Sequence, residues 1–598
     1  MPSNSDGPSR GRVRVHTPTG RVLLLSALAV VIGLASGGAA WALIHLIGLI
    51  TNAALFHRFG WNIPSFANFH PGVGLIAAAV AGALLVSLLA EWAPAIRGHG
   101  IPEAMEAVLT KQSRISPKTA LAKPLSAAIA IGTGGPFGAE GPIIVTGGAF
   151  GSLIGQVLPL SPSERKILLA TGAAAGMAAT FGAPLAAVVL ALELLLFEFS
   201  TRAFVPLVVG SSVAGAVHIS LFGSGPLFTV PSQDFAGLDK LPLYVVLGIL
   251  AGLLAVVIVK GLSLFEDGFD RLPIPKFWHP AIGAVGFAAI GFLVPRVLGV
   301  GYSSISDVLA GRLAIAALVI LGLAKLFAWW VALASGTSGG TLAPILLISG
   351  SFGSALGQLL HRGIPSLSAS SFALVAMAAT FGAATRATFA AIVFLFEITR
   401  DYQMILPLML AGVIADLVAS ALLEESLLTE KLARRGLKVR GDYEVDILRT
   451  MLVRQVMTTE VDTLPSDITM HEARLQFDRG DHNAYPVVDA EGKVIAICTR
   501  STVVRSADPG SGLLTDVADA DVVTAFPSDT VLYSLHRMFD ESVEALPVVD
   551  DDDHLIGICT RTDILRTRRH QLELEEREPS SLRLPHRWRT RNRIEEEG

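Results

Sequence analysis

The chain has 598 residues, 52% of them hydrophobic and only 16% charged, with a mean hydropathy of +0.57. That composition excludes an ordinary soluble protein and fits one that crosses a membrane several times. The formal net charge of −5 gives no sign of a nucleic-acid partner, and none is expected; Cys498 and Cys559 are too few for a disulfide framework and fit a reducing compartment.

Residues 1–20 are rich in Ser, Pro and Gly and carry Arg10, Arg12 and Arg14. They read as a disordered cytoplasmic tail. The apolar run that follows, Val22–Ile50, is too long for a secretory signal and reads as a tilted membrane helix. Val73–Ala90 is a second span, and Arg97-Gly-His-Gly-Ile-Pro102 is a glycine/proline break directly before a helical pattern. Ala120–Gly132 is apolar but too short to cross roughly 30 Å of hydrocarbon at about 1.5 Å per residue.

The break that organises the chain comes next: Gly132-Thr-Gly-Gly-Pro-Phe-Gly-Ala-Glu-Gly-Pro142. It sets one ionisable residue, Glu140, among glycines and prolines. Glycine lets backbone approach a ligand, and proline stops one helix and opens another. Helix N-termini attract anions, and a carboxylate at membrane depth is costly enough to mark a functional site. Glu140 is therefore read as a charged plug that competes with a permeating anion for backbone N–H groups.

Further apolar segments cover roughly 143–158, 167–180, 184–197, 203–222, 241–259, 281–293, 313–334, 344–360, 372–380, 389–398 and 405–423. Many are shorter than a span. A bilayer tolerates such pieces only where backbone is buried in protein or lines a polar cavity. The chain also repeats itself. Residues 142–156 resemble residues 344–358 at an offset of 202, and Met177–Ala183 recurs letter for letter as Met377–Ala383. The repeat halves are placed at about 73–223 and 281–423. Interrupted helices at matching places in two halves point to a substrate site at the repeat interface. Similarity alone leaves open whether the halves are inverted.

After Leu423 the composition changes. Glu424–Arg440 is a basic amphipathic connector, with a linker placed at 437–452. A smaller repeat occupies 453–567, in copies of about 453–508 and 513–567: Pro486-Val-Val-Asp489 recurs at Pro547–Asp550, and Cys498-Thr-Arg500 at Cys559–Arg561. β-branched strands alternate with helical stretches there, so this part is α/β. The Ser and Asp of Leu464-Pro-Ser-Asp467 and Phe526-Pro-Ser-Asp529 are candidate helix caps. The tail 568–598 mixes Arg-rich and Glu-rich blocks.

Three motifs in order, Gly98-His-Gly-Ile-Pro102, Gly138-Ala-Glu-Gly-Pro142 and Gly340-Thr-Leu-Ala-Pro344, make the chain resemble the CLC chloride channel and transporter family over about residues 21–436. Leu298-Gly-Val-Gly-Tyr302 fits as well, and the later repeat resembles a tandem CBS pair. The resemblance implies an α-helical multi-span membrane domain of duplicated halves with short broken helices, plus a cytosolic α/β CBS pair. It implies a homodimer in the cell (inner) membrane, with the N-terminus and CBS domains cytoplasmic. Each subunit would hold one anion pathway where helix N-termini meet. The gate maps to Glu140. The anion contacts map to the first motif (Gly98, His99, Gly100, Ile101, Pro102), to Ala139 and Gly141, to Thr341 and Leu342, and to Leu428.

The departures from the family are specific. His99 stands where the family usually has a serine that helps bind chloride; in the path it would offer an N–H donor, off the path it would bond to backbone. Leu428 stands in place of a tyrosine hydroxyl. An inner proton-transferring glutamate would fall at Leu194, next to Glu193. Glu193 is thus a candidate for a proton path as well as for a structural carboxylate. Lys123 reads as a snorkelling or vestibule cation, Glu103 and Glu106 as solvated or capping, and Glu397 as structural.

In the CBS pair, Thr560 and Asp563 fit the pattern that contacts the ribose and phosphate of ATP, ADP or AMP; the first copy has Thr502 where the aspartate should be. No cofactor is required and no metal-ligand constellation stands out. The function expected is chloride transport, as channel or H+/Cl− exchanger, regulated by nucleotide at the CBS pair. The alternatives are a fluoride or other anion transporter, and a membrane-anchored nucleotide sensor without transport. No enzyme is expected.

Overall fold

The computed structural model describes residues 19–437 apart from 198 and 231–236, and then residues 448, 451–480, 482–505, 512–516, 518, 522–567 and 569. Residues 1–18 and 570–598, most of the linker and part of the second-repeat boundary therefore lie outside the described residues. Contacts divide the chain into two units, Met1–Asp442 and Tyr443–Gly598.

The first unit is helical. Its helices are α1 (Thr19–Leu55), α2 (Gly74–Trp92), α3 (Ile101–Thr110), α4 (Pro117–Gly132), α5 (Glu140–Val157), α6 (Pro162–Phe181), α7 (Pro184–Ala191) and α8 (Thr201–Phe222). Then come α9 (Leu241–Asp270), α10 (His279–Leu293), α11 (Tyr302–Leu309), α12 (Ile315–Ala334), α13 (Leu342–His361), α14 (Ala369–Thr385), α15 (Thr388–Thr399), α16 (Ile405–Leu422) and the short α17 (Glu430–Arg434). Among the described residues, seven helices are long and apolar enough to cross a membrane, and four more are apolar but shorter. The reason for short pieces is visible at their starts. Pro102, Pro117, Pro162 and Pro184 sit in first turns, where proline sacrifices no helical hydrogen bond. After α7 the chain passes through one π turn, Leu192–Leu196, that carries Glu193.

Packing follows the repeat. α1 packs on α8 as α9 packs on α16, α5 on α6 as α13 on α14, and α2 with α4 as α10 with α12. Each half is thus α1–α8 or α9–α16, one N-terminal helix longer than the boundaries read from sequence identity. Counterparts also pack on each other: α2 on α10, α5 on α13 and α7 on α15.

The bridge between the halves settles their relative direction. Gly138 N–H donates to the Gly340 carbonyl at 3.2 Å and Gly340 N–H donates to the Gly138 carbonyl at 2.8 Å, an antiparallel pair. Residues 138 and 340 are each other's counterparts at the 202-residue offset. A residue can pair antiparallel with its own counterpart only about a two-fold axis. The axis lies across the helices, because the N-termini of α5 and α13 meet there head to head. In a bilayer that arrangement makes the halves inverted.

Two further pairs obey the same axis. Lys123 Nζ donates to the carbonyls of Ile96 (2.7 Å) and Gly98 (2.8 Å). Lys325 Nζ donates to those of Val297 (2.8 Å) and Gly299 (3.1 Å). Both ammonium groups are fully buried. The expectation of a snorkelling or vestibule Lys123 is corrected: its charge staples the first glycine break from within. Glu193 accepts from Ala390 N–H (2.9 Å) at the start of α15, and Glu397 on α15 accepts from Leu185 (3.1 Å) and Ala186 (2.7 Å) at the start of α7. Each helix end satisfies the orphan N–H groups of the other.

The second unit has two small sheets. In the first, β1 (Leu464–Pro465) runs parallel to β2 (Ala484–Val488), which pairs antiparallel with β3 (Val494–Thr499). In the second, β4 (Ala545–Val549) pairs antiparallel with β5 (Leu555–Thr560) in the same register, Ala484 opposite Thr499 and Ala545 opposite Thr560. The helices α18 (Met470–Arg479), α19 (Arg500–Arg505) and α20 (Val531–Asp540) pack with them, and residues 561–567 are helical as well. The caps are Thr469, accepting from Glu472 N–H, and Thr530, accepting from Tyr533 N–H. They replace the Ser and Asp caps expected a few residues earlier. Cys498 and Cys559 are buried thiols, pushed up to about 11 and about 12 by burial.

Candidate functional site

Four glycine-rich breaks meet around Glu140. Gly98 N–H donates to the Thr337 carbonyl (3.3 Å) and Gly98 pairs with Ser338, joining the first break to the third. Gly299 N–H donates to the Gly134 carbonyl (3.3 Å), joining the fourth to the second. Only glycine permits this closeness: a Cβ on Gly141 would lie 1.8 Å from the His99 carbonyl oxygen, and one on Gly100, at φ +99°, 2.5 Å from the Gly141 oxygen.

Glu140 is the first residue of α5 and is 1% exposed. Its Oε1 accepts from the N–H groups of Leu342 (2.5 Å) and Ala343 (3.1 Å), in the first turn of α13. Its Oε2 is buried without a partner. The carboxylate therefore occupies the positive end of α13, the kind of place an anion would take. Charge-assisted bonds to main-chain donors hold it there. The space is cut from glycine: a Cβ on Gly138 would lie 1.9–2.3 Å from the carboxylate atoms, and one on Gly340 2.5 Å from Oε1.

The first motif divides into structural and open groups. Gly98 N–H is used by Thr337, and Gly100 N–H donates to Glu103 Oε2 (2.7 Å) in a capping box. Pro102 has no N–H. Ile101 is buried at the start of α3. His99 is 1% exposed and neither ring nitrogen has a partner, so it is no histidine satisfied by backbone. Ala139, Gly141 and Thr341 are buried at the two helix starts. Leu428 is fully buried in the same apolar core and contributes no polar group.

Sequence reasoning named Leu342 but missed Ala343; its signal was the offset, since a carboxylate entering a helix start reaches two successive N–H groups. It also missed Lys325, the counterpart of Lys123. Glu106 pairs with Lys111 (2.9 Å) and Arg435 (2.6 Å). Lys431 pairs with Glu266 (2.8 Å) and Arg434 with Asp267 (2.6 Å), so α17 is tied to α9. In the second unit Asp563 Oδ2 accepts from Thr560 N–H (3.0 Å) and from its hydroxyl (2.6 Å). A cleft between the copies is lined by Thr459, Val461, Thr463, Val488, Leu555 and Gly557, and neither Thr560 nor Asp563 lines it.

The family described as "Voltage gated chloride channel" matches residues 77–420, and the CBS domain matches 453–508 and 514–570. The chain is 31% identical over 368 residues to the H(+)/Cl(-) exchange transporter ClcA of Vibrio campbellii, covering 58% of this chain and 79% of that one. It is 28% identical over 503 residues to the chloride channel protein CLC-f of Arabidopsis thaliana, spanning 78% of this chain and 60% of that longer protein. Among solved structures, a slow cyanobacterial Cl−/H+ antiporter is similar with a TM-score of 0.61 at 25% identity, covering 69% of this chain and 98% of that one. An ancestry shared over most of the membrane unit, the inverted halves and the two CBS copies agree with one another: the chain belongs to the CLC family of voltage-gated chloride channels and transporters, multi-pass membrane proteins that move anions, and carries a pair of CBS domains.

Proposed function

We propose that this chain carries chloride through a pathway that the Glu140 carboxylate closes. The observation that carries the reading is the seat of that carboxylate on Leu342 N–H and Ala343 N–H. A permeating anion and the carboxylate need the same two donors, so one displaces the other. Protonating Glu140 removes the charge that holds it and frees the donors, which makes transport rise as pH falls. His99 contributes a ring N–H to the passing anion; its two unpartnered nitrogens support this role. The protein acts as a homodimer in the cell membrane, with its N-terminus and CBS pair cytoplasmic. An adenine nucleotide binds at the CBS pair, at Thr560 and Asp563.

The relative named as an H(+)/Cl(-) exchange transporter and the structure titled as an antiporter favour exchange with protons over passive conduction. The test is the full-length protein in liposomes. Glu140→Gln should give chloride efflux that no longer varies with pH, and proton movement driven by a chloride gradient should stop. Wild-type flux and pH response in that variant would refute the gate. Parallel efflux of chloride and fluoride separates the two halides.

A further inference from the structure

The third glycine break holds a polar group that the gate does not use. Ser338 is 0% exposed, and its Oγ has no hydrogen-bond partner. Its neighbours are satisfied: Ser335 Oγ bonds to the Ala332 carbonyl (2.7 Å) and to Thr337 Oγ1 (3.0 Å). A buried hydroxyl without a partner is costly and calls for an explanation.

The position of Ser338 says what that partner is. Ser338 pairs with Gly98, one residue from His99. Two residues on, Gly340 pairs with Gly138, two residues from Glu140. The serine thus forms one of the two bridges that knit the first, second and third breaks together. Its oxygen, both ring nitrogens of His99 and Oε2 of Glu140 are each buried without a partner. A hydroxyl can donate to an acceptor that reaches it, and a halide or small oxyanion accepts without donating. Ser338 is thus bridged directly to the first motif, next to His99.

We propose that Ser338 is a side-chain ligand of the transported anion, a hydroxyl donor supplied by the second half of the repeat. The inference rests on the anion pathway proposed above. Removing a hydroxyl that has no partner in the empty site should cost nothing there, whereas removing an anion ligand should weaken the occupied site. Ser338→Ala in the purified full-length protein should therefore melt at the same temperature as wild type, or slightly higher, in a chloride-free buffer. Its chloride-induced rise in melting temperature should shrink, with chloride binding by calorimetry about tenfold weaker. Ser338→Thr keeps the hydroxyl and should restore binding. Ser354→Ala removes another buried, unpartnered hydroxyl, on α13 and away from the breaks, and should change nothing. Unchanged chloride binding in Ser338→Ala, or an equal loss in Ser354→Ala, would overturn the proposal. If Glu140→Gln still abolishes pH dependence in that case, the pathway stands and only the ligand assignment falls.

Discussion

Gly138→Ala separates a gate that is seated by geometry from one that is merely acidic. The new Cβ would lie 1.9 Å from Oε2, 2.1 Å from Oε1 and 2.3 Å from Cδ of Glu140, and these are its three nearest neighbours. Gly138 does not have a left-handed φ, so alanine is not strained there by its backbone. What must give way is the end of a flexible side chain. The carboxylate then loses its bonds from Leu342 and Ala343. Charge-assisted hydrogen bonds contribute about 1.5–3 kcal/mol each, so roughly 3–6 kcal/mol of seating is lost. At about 1.4 kcal/mol per factor of ten, occupancy of the seat falls by about 100- to 10,000-fold. The assay is chloride efflux from liposomes between pH 4.5 and 7.5. Gly138→Ala should match Glu140→Gln in rate and in its flat pH profile. The double variant should add nothing, because both changes empty one seat. A correctly folded Gly138→Ala protein with the wild-type pH profile would refute the reasoning.

Gly141→Ala should behave differently, since its Cβ would meet the His99 carbonyl oxygen at 1.8 Å and backbone cannot swing aside; a fall in melting temperature of the detergent-solubilised protein is expected, with overpacking of about 1–3 kcal/mol. Lys325→Met leaves the Val297 and Gly299 carbonyls without their donor and should destabilise by about 1–3 kcal/mol, read from the same melts. Glu193→Gln keeps an oxygen for Ala390 N–H and should leave the proton-to-chloride ratio unchanged if that carboxylate is a helix cap; a reversal potential shifted to the pure chloride value would instead put Glu193 on a proton path. The thiols of Cys498 and Cys559 are raised to about 11 and about 12, so at pH 7.5 no more than about one Cys498 in 3,000 is thiolate. Neither should react with iodoacetamide until denaturant is added, and labelling of the native protein would contradict their burial.

The residues alone determined the class of the protein, its duplicated halves, the three glycine breaks, the lone acid Glu140 among them and the CBS pair, because composition, local spacing and self-similarity are written along one chain. They did not determine direction. Identity between residues 142–156 and 344–358 is the same for parallel and inverted copies, and only the antiparallel pairing of Gly138 with Gly340 distinguishes them. Nor did they determine which donors a charge would find. Glu140 meets Leu342 and Ala343 some 200 residues away, Lys123 turned inward to carbonyls rather than outward to solvent, and Glu193 and Glu397 each closed the other's helix. A buried polar group takes whichever partner packing brings within about 3 Å, and that choice is made by the fold, not by the neighbours in sequence.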